Sequence, residues 1–503
     1  MGTVQIVNII ALIAFAFLMV GIGIYSNRKS KSLDTFLLGG RNVGPWMSAF
    51  AYGTTYFSAV IFIGYAGKNG WDIGFGSLWI GLGNAVIGCF LAWKLLAKRT
   101  RDMTHELGSR TMPEFFEARY GSRFMKIYST IIIFIFLMPY AASVYKGLGT
   151  LFGAIFPQIK DVVGIDAATA CMIIVAVLTA VYLVLGGYIA TAISDFIQGI
   201  IMLGGVIIMC IALPNMAPGV GGFAGAFEAL KGLNEHHFDI FGGMNWNFLA
   251  LNILLTSFGV WGMPQMVHKY YAIKDNKSIS IATIVSTMFA VIIGCGAYFI
   301  GSFGRLFLNN TLPEGGYDAI VPTMLVSAFG GENIFGNILL ALVLLCVLSA
   351  SMSTLSGLVL TSSSAISVDL LQTIKPNTDK KKQMIFTRIL CFVFIILSFI
   401  FASFNFTVIV SIMSYSWGVV AGAFIGPFIW GLYWKKVTKQ GATAGLISSI
   451  LVVGGFVLFG LAEGKTFAEI SVNAPMFGVA SMAASFVIVP LVSLFTQKSK
   501  AVA

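Results

Sequence analysis

Charge is scarce in this chain. Of its 503 residues only 10% are Asp, Glu, Lys or Arg, 57% are hydrophobic, and the mean hydropathy is +0.89. A soluble protein of this size needs far more charge on its surface, so that class is excluded. Cysteine is also rare. The six present (Cys89, Cys171, Cys210, Cys295, Cys346, Cys391) all fall inside apolar runs, and none forms a CxxC pair. They read as small core residues, with neither a disulfide framework nor a thiolate metal site. Four histidines (His105, His236, His237, His268) lie in or near loops and make no HExxH spacing. Neither GxSxG nor GxxxxGK[ST] occurs, so nothing points to an acyl-transfer enzyme or to ATP as a driving force. Basic residues are missing before the first apolar run and follow it as "NRKSK", the wrong order for a cleaved signal peptide; the run reads as a retained helix with its N-terminus outside.

Long apolar runs, by contrast, recur throughout. Stretches of about 20 residues, enough to cross the hydrocarbon layer as a helix, predict thirteen spans and leave no room for a soluble domain. The second covers 45 to 67, the seventh 246 to 263 and the ninth 336 to 366. A net charge of +11 could suggest a nucleic-acid partner, but its placement gives another cause. Lys and Arg gather in alternate loops, as in Arg28 to Arg41, Lys98 to Arg123, Lys269 to Lys277, Lys375 to Lys382, Lys435 to Lys439, and Lys498 with Lys500. This is the positive-inside asymmetry, and it places those loops and the C-terminus in the cytoplasm. An odd span count agrees with the outside N-terminus.

Two spans are interrupted. "AYGTTYFSA" puts Gly53 and a polar cluster in the middle of the second, and "FGVWGMPQ" puts Gly259, Gly262 and Pro264 at the end of the seventh. Paired broken helices are the mark of an inverted-repeat transporter, although Gly and Pro also serve close packing in membrane helices. In the ninth span, "SASMSTLSG" carries five hydroxyls, and Ala350, Ser353 and Thr354 share a helix face at i, i+3 and i+4. Neutral oxygens on one face suit a hard cation such as Na+; by composition alone back-bonding or helix adhesion is the favoured reading. Asp195, in "TAISDFIQG", is an acid within a span and marks an ion path. Lys146 is expected to snorkel to the outer surface.

These motifs resemble the sodium:solute symporter family, the group that includes bacterial sodium/proline, sodium/pantothenate, sialic acid and sodium/sugar transporters. The likeness runs through "FLLGGRNVGPW", "TMPEFFEARYG", "LGGYIATAISDFIQG", "SMSTLSGLVLTSSSAISVDL" and "KKVTKQGATAG", in that order along the chain. It implies an all-α membrane protein of about thirteen helices with a LeuT-like core of two inverted five-helix repeats. The implied division is an extra helix and loop at 1–44, repeats at 45–215 and 216–440, and two further helices at 441–503. The resemblance also implies Na+ as coupling ion, ligated by the carbonyls of Thr54, Phe57 and Ala350 and the hydroxyls of Ser353 and Thr354. Asp195 and Ser356 match a second-sodium or ion-path position, but Gly357 stands where that site wants a serine. Tyr56 occupies the place of an aspartate in the proline symporters, and Thr256 and Val260 replace aromatic contacts. The wording around the pocket looks closer to the pantothenate branch.

The expectation is therefore a Na+-coupled symporter importing a small carboxylate such as pantothenate by alternating access, with proline-like amino acids, sialic acid or sugars as alternatives. Substrate contacts are expected at Tyr56, Ser58, Tyr140, Trp261 and Gln265. No catalytic residue, nucleic acid or obligate protein partner is expected, and the location is the inner membrane. A passive channel or a transporter-like sensor is the reading of another class, although no TVGYG-type filter is present.

Overall fold

A computed structural model describes residues 3–497 apart from 218, 332, 405 and 406. The basic Lys498 and Lys500 lie outside the described residues. The described chain is helical, and its one β-type feature is an isolated bridge between Val43 and Ile273. This follows from the solvent: in hydrocarbon each backbone amide needs an internal partner, and a helix supplies one within the same segment.

In chain order the long helices are α1 (Ile6–Asn27), the bent pair α2 and α3 (Pro45–Tyr56, Val60–Asp72), α4 (Gly74–Glu106), α5 (Arg123–Ile155) and α6 (Ala167–Asn215). Next come the bent pair α7 and α8 (Trp246–Gly262, Pro264–Ala272) and α9 (Asn276–Phe307). A short helix, α10 (Ile320–Phe329), precedes α11 (Ile334–Ile374), α12 (Lys380–Ser403), α13 (Ile409–Tyr433), α14 (Lys439–Ala462) and α15 (Ala474–Thr496). Polar residues in the loops start several of them. Ser122, Asp166, Asp275 and Thr438 each accept a hydrogen bond from a backbone N–H in the first turn. The Asp275 carboxylate, taking the Ser278 N–H at 2.7 Å, titrates below the usual range because that bond favours its charged form.

Burial separates the inner helices from the outer ones. The most apolar windows of α11 and α13 are 83% and 94% buried, against 28% for both α1 and α12, so α11 and α13 run through the centre while α1 and α12 face lipid. Small residues allow this close approach: Gly262 sits against the backbone of Ala421, and Gly205 against Cys346.

Both expected interruptions are present, with nearly equal bends of 46° between α2 and α3 and 47° between α7 and α8. The first opens at Phe57, which is extended, and closes when the Ser58 hydroxyl accepts the Val60 N–H at 3.2 Å. Pro264 causes the second. It has no N–H to give, and its ring pushes Met263 to an extended conformation (φ −80°, ψ 119°). The chain just before α2 pairs with the chain just after α8, through Val43 N–H to Ala272 O at 3.1 Å and Lys274 N–H to Val43 O at 3.0 Å.

Thirteen spans are expected; ten long helices and two bent pairs are distinct by length and composition. The difference lies in α6, whose 49 residues would reach about 73 Å if straight, far beyond a bilayer. Gly187, at φ 56° and ψ −145°, breaks it, and the count reaches thirteen when each arm is taken as one span. This backbone region is open only to glycine, and a Cβ there would strike the Phe36 ring and carbonyl. Gly187→Ala is therefore expected to cost about 1–3 kcal/mol, read as a lower melting temperature of the detergent-purified protein.

Candidate functional site

The hydroxyl stripe of α11 meets the tip of α2 where that helix ends. Ser353 Oγ donates to Thr54 Oγ1 at 2.7 Å, and Thr354 Oγ1 lies 3.2 Å from the Thr54 carbonyl and 3.1 Å from that of Thr55. All four residues are fully buried. These contacts join three of the five expected ion ligands, and they add Thr55, which spacing did not single out. A carbonyl in the last turn of a helix has no partner four residues on, so hydroxyls from another helix take its place. Phe57 stands at the break, with its ring stacked on Tyr56 at 4.6 Å, and Ala350 is buried one turn before Thr354 on the same face. The set consists of neutral oxygens drawn from the broken end of one span and from the helix packed against it, and its chemistry fits a hard monovalent cation.

The other hydroxyls of the stripe divide. Ser351 Oγ donates to the Val347 carbonyl at 2.7 Å and Ser356 Oγ to the Ser353 carbonyl at 2.8 Å, so both bond back within their own helix. Gly357 is a contact point: a Cβ there would lie 3.1 Å from Thr55 Cγ2. Asp195, on α6, is fully buried and faces Lys269 of α8, with Nζ 3.6 Å from Oδ2.

On the other side of the α2–α3 break lies a cavity of about 20 Å³, room for little more than one water. Tyr56 and Ser58 line it from the broken span, Asn84 from α4, Tyr140 from α5, Thr256 from α7 and Trp417 from α13. No charged side chain is among its walls. Tyr56 OH donates to the Thr256 carbonyl at 2.7 Å, and the Thr256 and Ser257 hydroxyls both donate to Asn84 Oδ1, at 2.8 and 3.1 Å. Trp417 Nε1 is buried without a hydrogen bond.

Three of the five expected solute contacts (Tyr56, Ser58, Tyr140) thus share one pocket, and two do not. Trp261 donates its indole N–H to the Ile87 carbonyl at 2.9 Å and lines a separate, almost wholly apolar cleft between α7, α13 and α15. It sits on the face of α7 opposite the pocket. Gln265, just past the second break, is buried with neither amide atom hydrogen-bonded, and it is not among the pocket walls. Asn84 and Trp417 were missed. A lone amide in the apolar "GLGNAVIG" and the polar "SYSWG" inside α13 are the signals that could have found them.

Both ends of the pocket are shut. At the basic end, Arg101 donates to the Ile273 carbonyl (3.1 Å) and the Lys274 carbonyl (2.6 Å), over the Val43–Ile273 bridge. At the opposite end Lys146 does not snorkel. Its ammonium pairs with Asp318 at 3.0 Å and donates to the Thr407 carbonyl at 2.6 Å, because the turn before α10 brings a carboxylate within reach. Asp318 also accepts the Ile409 N–H at the start of α13. Tyr317 beside it donates to Asp72 of α3 at 3.1 Å, so the α10 segment is tied to three helices.

Residues 36–449 match the family described as the sodium:solute symporter family. An osmoregulated proline transporter of Bacillus subtilis is 28% identical over 466 residues, covering 92% of this chain and 91% of that one. The sodium/proline symporter of Escherichia coli is 27% identical over 452 residues, covering 89% and 87%. Among solved structures, the substrate-bound outward-open state of a Na+-coupled sialic acid symporter aligns with TM-score 0.76 and 19% identity over 96% of this chain and 98% of that one. A nucleobase-cation-symport-1 family transporter aligns with TM-score 0.54 and 14% identity over 93% and 96%. The fold is thus the LeuT-like transporter fold that the family resemblance implied. The preference for pantothenate is overturned: the similar proteins are named for proline or sialic acid.

Two predictions follow from this geometry. Na+ a hundredfold above its Kd should stabilise the purified protein by about 2.7 kcal/mol, and Ser353→Ala/Thr354→Ala should abolish that gain in a thermal-shift assay with K+ as control. For the Lys146–Asp318 pair, stranding one charge costs roughly 3–5 kcal/mol. Lys146→Met and Asp318→Asn should therefore each lower the melting temperature more than the double variant does.

Proposed function

The chain belongs to the sodium:solute symporter family, and from that premise we propose that it imports proline, or a similarly small amino acid, together with Na+ by alternating access. It is a multi-pass membrane protein and a Na+-coupled solute symporter, not an enzyme. One observation carries the narrower reading: residues 54–58 serve two sites at once. Thr54 and Thr55 meet the hydroxyls of α11, while Tyr56 and Ser58 line the uncharged pocket. An ion at the first site fixes the backbone that forms the second, so binding of either favours the other.

The pocket suits a small solute that carries its own balanced charge. Its walls are rings, hydroxyls, a few aliphatic side chains, one methionine and one amide, and a carboxylate would be met by the positive end of α3. Closure at both ends supports alternating access over an open pore. We assign the basic face to the cytoplasm of the inner membrane, with the α10 segment outside. The bent pairs α2/α3 and α7/α8 would begin the two repeats, 45–215 and 216–440. Ser353, Thr354, Thr54, Phe57 and Ala350 are the proposed Na+ ligands; Tyr56, Ser58, Asn84, Tyr140 and Trp417 the proposed solute contacts.

Uptake of radiolabelled proline into proteoliposomes tests this. It should saturate, require an inward Na+ gradient and fail with K+. Tyr56, where the proline symporters carry an aspartate, makes other solutes the essential control: Na+-dependent uptake of labelled sialic acid or a sugar, with no Na+-dependent uptake of proline, would overturn the substrate.

A further inference from the structure

Asp195 and Lys269 form an ion pair in the interior. The aspartate is fully buried and Lys269 is 2% exposed, and their closest approach is 3.6 Å. The lysine comes from α8, the half-helix beyond the break in the second bent pair, and its ammonium also lies 5.3 Å from the centre of the Tyr188 ring. Ser353, the residue that donates to Thr54 at the ion site, has a polar interaction with the same carboxylate. A buried carboxylate beside an ion site needs a positive charge; without one it is too costly to keep ionised.

We propose that Lys269 is a tethered cation occupying the place where a second Na+ would sit against Asp195, and that the chain therefore moves a single Na+ per cycle. This rests on the ion-site reading above and adds its stoichiometry. An ammonium and Na+ carry the same charge, but the lysine is anchored to α8 and cannot leave with the solute. A further feature leaves a mobile ion there fewer hydroxyl oxygens, so that with the lysine removed the Asp195 carboxylate is what would hold one. Position 357 is glycine, and a side chain at that point would press on Thr55 at 3.1 Å. The polar chain Lys269, Asp195, Ser353, Thr54 then links the α8 segment to the Na+ site, so that the anchored charge supports the geometry of the mobile one.

Equilibrium binding of radioactive 22Na+ to the purified full-length protein at pH 8 tests the assignment. The wild type should hold one Na+ per chain, Lys269→Arg one, Lys269→Met two, and Lys269→Met/Asp195→Asn one again. Ser353→Ala/Thr354→Ala in the wild-type background should hold none. Two Na+ on the wild type, or one on a well-folded Lys269→Met, overturns the tethered-cation assignment and leaves the ion site standing. No Na+ on the wild type overturns the ion site itself. Should Lys269→Met fail to survive extraction, Lys269→Gln and the wild-type stoichiometry decide between the same outcomes.

Discussion

A helix interrupted inside hydrocarbon leaves backbone carbonyls and amides without partners, and each such group costs several kcal/mol unless something else bonds it. The rest of this structure answers to that constraint at residues 54–59 and again at Met263. At the first break the answer comes from α11, whose Ser353 and Thr354 reach the freed end of α2. Those bonds are individually modest and easily exchanged. An ion that offers the same oxygens a full positive charge replaces them without leaving a group unsatisfied. The feature that makes the break tolerable in a membrane is thus the one proposed above as the Na+ site.

The same economy governs the charged residues. Lys146, Asp195, Lys269 and Asp318 are all removed from bulk water, and all are used in pairs. One pair holds the α10 segment against α5 and α13 at one end of the pocket; the other lies between the two broken spans and the stripe of α11. Pairing of this kind adds little net stability but sets register, because one member alone is heavily penalised. Together with the Val43–Ile273 bridge, these contacts describe a protein closed at both ends around a nearly filled cavity. Alternating access would open one set while the other holds.

Much of the site was legible along the chain because helical periodicity is local. Ala350, Ser353 and Thr354 share a face by spacing alone, and the Gly and Pro residues near 53 and 262 mark the breaks that appear as bends of 46° and 47°. The errors came from rotation and partnership. Trp261 is as aromatic and as close to a break as Tyr56, but it points to the opposite face of α7. Lys146 looked like a residue escaping to the surface, since its partner Asp318 belongs to a turn far away in sequence.

Composition, apolar run length and the distribution of Lys and Arg determined a polytopic helical membrane protein, because the cost of burying charge and open backbone in hydrocarbon depends on residue type alone. Tertiary structure decided the rest. It brought the Thr55 carbonyl to Thr354, Asn84 to Thr256, and Lys269 to Asp195. Those contacts depend on how the helices rotate and cross, which interdigitation of side chains across the whole bundle sets and no single segment encodes.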